Sequence, residues 1–201
     1  NPDFDAAQSV LMLNPLSSDL NVLRQSLVYG GLETLLYNIN RKNPDLKFYE
    51  FGKSYRFVNA EAEKVEKRYA EEKHLALLMT GKKSPESWGN QARQVDFYDL
   101  KLAVQHILKK LQFNLLALTA STEIKSYFSE GISFSFNNKS LVELGELSPK
   151  VLKSMGIKQP VFYADFNWQA ILKTVKQHDV QYEEVPKFPV VRRDLALVLD
   201  K

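Results

Sequence analysis

A chain of 201 residues with 44% hydrophobic and 11% aromatic side chains can build one large or two small folded domains, which excludes a disordered segment. Its 27 basic and 24 acidic side chains leave a net charge of +3, too little to argue for nucleic acid on charge alone. The lack of cysteine excludes disulfides, thiolate catalysis and Cys-ligated zinc and fits an intracellular compartment, and no apolar run reaches the roughly 18–20 residues of a membrane span.

Residues 1–9 are polar and turn-rich, and Val10 to Leu13 is a short apolar run ended by Asn14-Pro15. Ser17, Ser18 and Asp19 suit a turn or a helix cap. Leu27, Leu32, Leu35, Leu36 and Ile39 recur near helical spacing and predict a helix over about Leu27 to Asn40, which Pro44 stops. The aromatic stretch LKFYEFGKSYRF predicts a strand, and VNAEAEKVEKRYAEEK after it a charged loop or short exposed helix. HLALLMTG is nearly continuous apolar sequence closed by glycine, the pattern of a buried strand.

Asp96 is placed to cap a helix whose stripe is Phe97, Leu100, Val104, Ile107, Leu108 and Leu111. LLAL, ISFSF and SLVELGEL then read as strands. SPKVLKSMG has a serine cap, a first-position proline and a glycine just past its end. PVFYADFNW predicts another strand and QAILKTV a short helix. The order favours an α+β fold, a mixed sheet with helices packed on it, over alternating βαβ units. We divide the chain into a core at residues 1–180, a proline-containing linker at 181–193 and the first strand of a further domain at 194–201. That lone strand, and a start without methionine, predict a piece of a longer protein.

Catalytic chemistry is sparse. His74, His106 and His178 show no metal-ligand spacing, and no nucleophile elbow or glycine-rich phosphate loop is present. Glu61, Glu63, Glu66, Glu71 and Glu72 are interleaved with lysines and read as a solvated face. Glu50, within the aromatic strand, needs a partner if buried, with Lys53 and Arg56 as the candidates; a structural ion pair is favoured over catalysis. The doublets Lys82-Lys83, Lys109-Lys110 and Arg192-Arg193 are scattered, without the aromatics of an RNA-binding motif.

The string LNPLSSDLNVLRQSLVYGGLETLLYNINRKNPDLKFYEFGKSYRF resembles the core of the bacterial phenylalanine–tRNA ligase beta chain, as do VDFYDLKLAVQHIL, LVELGELSPKVL and FPVVRRDLALVLD. The resemblance implies a class II aminoacyl-tRNA synthetase fold, an antiparallel sheet flanked by helices. It also implies a catalytic-like module that pairs with a catalytic alpha chain in a heterotetramer of two alpha and two beta chains, in the cytoplasm and away from membranes. ATP and magnesium would serve the parent ligase and tRNA would meet other domains, FPVVRRDLALVLD opening the ferredoxin-like one near the anticodon. Class II enzymes hold ATP with an F-R-x-E stretch and a glycine-rich strand carrying a second arginine. Tyr55-Arg56-Phe57-Val58 keeps the first arginine and has Val58 in the glutamate's place. VFYADFNWQAIL, at the second position, offers Asp165, Asn167 and Gln169 but neither glycine nor arginine. The expectation is therefore a structural module with no catalytic, cofactor-binding or metal residues, Arg56 being a vestige of the ATP motif. The rival readings are a divergent adenylate-forming domain using Arg56 and Glu50, and a tRNA-contacting surface.

Overall fold

Asn137 and Asn138 both take positive φ, 49° and 59°, between the paired residues Phe136 and Lys139. Asparagine tolerates this region, and two such residues make the two-residue hairpin turn whose twist matches the strands it joins. The turn fixes the antiparallel hairpin of β6 (Phe128–Phe136) and β7 (Lys139–Leu147). Gly131 and Gly145 face each other across it. A Cβ on Gly145 would run into the Glu130 carbonyl oxygen and lie 2.9 Å from the Gly131 Cα, so the two backbones approach as only glycines allow.

The computed structural model describes residues 4–17, 20–84, 87–89, 92–175, 184, 187–188 and 191–195. A second hairpin joins β3 (Leu46–Phe57) to β4 (Tyr69–Thr80). Between the two hairpins lies β8 (Val161–Asn167), antiparallel to both β4 and β7. With β5 (Thr119–Ser121) at one edge, the six-stranded order is β3-β4-β8-β7-β6-β5. A separate two-stranded ribbon pairs β1 (Val10–Leu11) with β2 (Val22–Leu23).

Successive strand residues point to opposite faces, and both faces of the central strands are covered. One carries Leu75, Leu77, Val142, Leu144, Phe162, Ala164 and Phe166 against α2 (Phe97–Lys110) and α4 (Trp168–Val175). The other carries Ala76, Leu78, Leu147, Val161 and Tyr163 against α1 (Val28–Ile39) and α3 (Pro149–Ser154). Two-sided burial is why HLALLMT reads as a continuous apolar run rather than an alternation. Each fully buried leucine contributes about 1.5–3 kcal/mol.

The helices fall where their punctuation places them. Ser148 accepts from the Val151 amide, Pro149 opens α3, and Gly156 takes φ +75° just past its end. Two strand expectations need correction. LLAL is not a strand: Leu115–Ala117 is a 3-10 turn, capped by the Asn114 side chain, and β5 begins only at Thr119. The segment 58–73 is a loop only as far as a 3-10 turn at Val65–Arg68, because β4 starts at Tyr69 and its charged first half alternates along the solvated end of the hairpin. The linker at 181–193 and the strand at 194–201 lie largely outside the described residues.

At the start of α2, Asp96 accepts from the Asp99 amide at 2.9 Å while Asp99 accepts from the Asp96 amide at 3.2 Å. Arg93 grips both oxygens of Asp99 at 2.6 and 2.7 Å, and Lys83 reaches it at 2.7 Å. The Arg93 hydrogen bonds, with help from Lys83 and the Asp96 backbone against the cost of burial, hold the Asp99 carboxyl well below the usual carboxylate range. A depressed carboxyl stabilises the fold fully above its unfolded pKa of about 4, and the contribution is lost as pH falls toward the folded value. Asp99→Asn should therefore flatten the loss of stability below about pH 4 in urea titrations at stepped pH. Asp99→Ala should cost about 1–2 kcal/mol at neutral pH.

Candidate functional site

The period of two along a strand collects polar side chains from four adjacent strands on one face. Ser54 and Arg56 on β3, Glu72 and His74 on β4, Asp165 and Asn167 on β8 and Glu143 on β7 line a cleft of about 240 Å³, closed from above by Phe4, Gln8, Gln25 and Ser26. The cleft begins where the apolar cover of α1 ends.

His74 organises its centre. Its Nδ1 lies 2.7 Å from Asp165 Oδ1, an acceptor, so in the neutral imidazole this nitrogen carries the proton and Nε2 accepts from the Ser54 hydroxyl at 2.9 Å. Asp165 has 5% of its side chain exposed. The connectivity is that of a nucleophile, a base and an orienting acid. Ser54, however, is only 1% exposed, and a nucleophile must meet its substrate. The chain of hydrogen bonds instead ties β3, β4 and β8 together across the sheet.

The neighbouring charges are also matched within the cleft. Arg56 donates to Glu72 at 2.5 Å. Lys125 stands 3.6 Å from both Glu143 Oε2 and Asp165 Oδ2. Burial pushes the Glu143 carboxyl up, Lys125 opposes this and the Asp165 charge adds to it. The lining thus sets three carboxylates, Glu72, Glu143 and Asp165, against the two permanent cations Arg56 and Lys125.

Glu50 is in an ion pair, but with neither expected partner. Arg24, just past β2, donates to it at 2.7 Å, while Lys53 pairs with Glu71 at 2.7 Å. Strand geometry explains the difference. Lys53, three residues on, points to the other face of β3, and Arg56, six residues on, is about 20 Å away at 3.3 Å per residue. Both observed pairs are half exposed, so solvent screens them and they contribute little. Glu61, Glu63, Glu66 and Glu71 are exposed as expected, whereas Glu72 belongs to the cleft. His106 is exposed on α2, and His178 lies outside the described residues. Val58 is 57% exposed past the end of β3. Asn167 accepts from the Ala170 amide at the start of α4, and Gln169 is exposed. Among the described residues no group of three His, Asp or Glu side chains is arranged to hold a metal ion. No described helix is long and apolar enough to cross a membrane.

The residues missed from sequence are Arg24, Ser54, Lys125 and Glu143, and the cleft roles of Glu72 and His74. The available signal was Ser54 with Arg56, and Glu72 with His74: polar pairs two apart on consecutive strands, hence on one face.

A nucleoside triphosphate does not fit this cleft. It brings several negative charges to a lining in which Arg56 and Lys125 already have carboxylate partners and the carboxylates are in excess. Yet β3 and the β8–α4 junction, the stretches that the resemblance assigns to the two ATP motifs, meet here.

Residues 2–168 match the family described as the phenylalanyl tRNA synthetase beta chain CLM domain. The chain belongs to this family. It is 42% identical over 202 aligned residues to the phenylalanine–tRNA ligase beta subunit of Bacteroides thetaiotaomicron, covering 99% of this chain and 25% of that protein. The corresponding subunit of Porphyromonas gingivalis is 34% identical over 196 residues, 96% of this chain and 24% of that protein. The chain therefore spans about a quarter of the length of these relatives. Among solved structures, pyrrolysyl-tRNA synthetase from Desulfitobacterium hafniense superposes with a TM-score of 0.59 at 14% identity, covering 84% of this chain and 53% of that one. A second structure, of PylSc from the same organism, gives 0.58 at 16%, with 84% and 54% covered. At such low identity the likeness shows the fold alone: the chain shares with these tRNA synthetases an antiparallel sheet flanked by helices.

Proposed function

We propose that this chain is a non-catalytic structural module of a phenylalanine–tRNA ligase beta chain, which assembles with the catalytic alpha chain so that phenylalanine is attached to its tRNA. The observation that carries the reading is the cleft: β3 and the β8–α4 junction, the stretches that the resemblance assigns to the two ATP motifs, both line it, but Arg56, the remaining cation of those stretches, is paired with Glu72. Loss of the donors that meet charge developing on a phosphate costs about 2.7–4 kcal/mol each by analogy with oxyanion sites, too much for an adenylating enzyme to spare. The module then acts by its fold, as a rigid sheet on which the alpha chain and the tRNA-contacting domains are arranged. ATP and magnesium belong, in this reading, to the alpha chain of a cytoplasmic assembly of two alpha and two beta chains. The family match at residues 2–168 falls within the proposed core at 1–180, leaving 181–193 as linker and 194–201 as the start of the next domain.

Two measurements test the proposal. Light scattering of the chain mixed with the matching alpha chain should give one heteromeric species of defined mass. Phenylalanine-dependent ATP–pyrophosphate exchange by this chain alone should be absent, and Arg56→Ala should leave nothing to lose. Exchange above background that disappears in Arg56→Ala would overturn the reading in favour of a divergent adenylate-forming domain.

A further inference from the structure

Two carboxylates of the cleft converge on one point, beside a tyrosine ring buried in the core next to it. Glu143 Oε2 on β7 and Asp165 Oδ2 on β8 each lie 3.6 Å from the Lys125 ammonium, and the Tyr127 ring, just before β6, has its centroid 5.8 Å from the same nitrogen. Two carboxylate oxygens and an aromatic face are the elements that recognise an organic cation. Lys125 fills the place loosely. Its distances exceed the 2.7–2.9 Å of a charge-assisted hydrogen bond, Glu143 Oε2 is buried without a hydrogen-bond partner, and the lysine side chain, in the loop between β5 and β6, is 42% exposed. The protein's own ammonium thus marks what the position takes, on a stem free to leave it.

We propose that the cleft binds a small organic ammonium, seated between Glu143 and Asp165 beside the Tyr127 ring, in exchange for the Lys125 ammonium that occupies the position here. Displacing Lys125 returns a half-exposed ammonium to water, while a free ligand can approach the carboxylates at full hydrogen-bond distance. The cavity of about 240 Å³ lies below the 300–1,000 Å³ of drug-sized sites and admits a ligand of several heavy atoms. Its excess of carboxylates disfavours anions, Arg56 is held by Glu72, and the displaced Lys125 ammonium stands in water, where its pairing with a ligand carboxylate is screened. The class is therefore amines rather than zwitterionic amino acids. This inference does not depend on assembly with an alpha chain.

The probe is ethanolamine, with glycine as the zwitterionic comparison, followed by NMR shifts of the His74 ring and the amides of Glu143 and Asp165. Saturable millimolar binding of ethanolamine is expected, with glycine weaker by about tenfold or more. Glu143→Gln should weaken binding by about tenfold, the worth of one charge-assisted hydrogen bond. Lys125→Met should tighten it several-fold, because it removes a tethered competitor. Should Glu143→Gln fail to fold, Lys125→Met alone decides. No saturation, equal binding of glycine, unchanged affinity in Glu143→Gln or weaker binding in Lys125→Met would each overturn the proposal.

Discussion

Asp165→Ala is expected to destabilise the chain by about 1–3 kcal/mol, the cost of leaving the buried His74 N–H without its acceptor. Asp165 fixes the proton on His74 Nδ1, and through it the acceptor nitrogen that meets Ser54; it also faces Lys125. Without the carboxylate His74 has no defined tautomer, and its ring, with 12% of its side chain exposed, is poorly placed to find water instead. Urea unfolding measures the loss, which corresponds to a fall in melting temperature on the order of 5 °C. If the groups act as one network, His74→Ala/Asp165→Ala should be less destabilised than the sum of the single variants, by about 0.5–3 kcal/mol. Strict additivity would show that Asp165 and His74 contribute independently.

The second large effect belongs to a position with no polar chemistry. Gly145→Val should cost about 3 kcal/mol, at the upper end of the range for overpacking. The opposing atoms are the Glu130 carbonyl and the Gly131 Cα, which no rotamer change can move aside, so β6 and β7 must part locally. Gly30→Ala is the control: nothing lies within 4 Å of the point where its methyl would stand, it sits in α1, and the substitution should stabilise by about 0.4–1 kcal/mol. Thermal unfolding of the two variants should move in opposite directions.

Where local chemistry determines structure, sequence was enough. Ser148, Pro149 and Gly156 bound α3, and Asp96 opens α2, because caps and breakers act over one helical turn. The sheet was legible strand by strand but not in its order: nothing in VFYADFN says that it inserts between HLALLMT and LVELGEL, since its pairing with HLALLMT joins residues about ninety apart. The cleft depends on the same missing information. His74 and Asp165 become neighbours only once His74 is in register with Asn167, and Glu143 meets Lys125 only through the β6–β7 hairpin and the loop before it. The resemblance to the beta chain supplied the fold and the expectation of a lost ATP motif; it did not supply the polar lining of the cleft.

The central place of β8 has a consequence for how the chain is made. The β3–β4 and β6–β7 hairpins close on local turns soon after they are synthesised, but each keeps one long unpaired edge and two apolar faces until residues 161–167 arrive to join them. Between the synthesis of Leu147 and that of Val161 the nascent module is two unjoined half-sheets, and its seam is supplied by the last strand of the core. Translation pausing just before Val161 would hold the chain in its most aggregation-prone form, and there a holding chaperone has the most to protect.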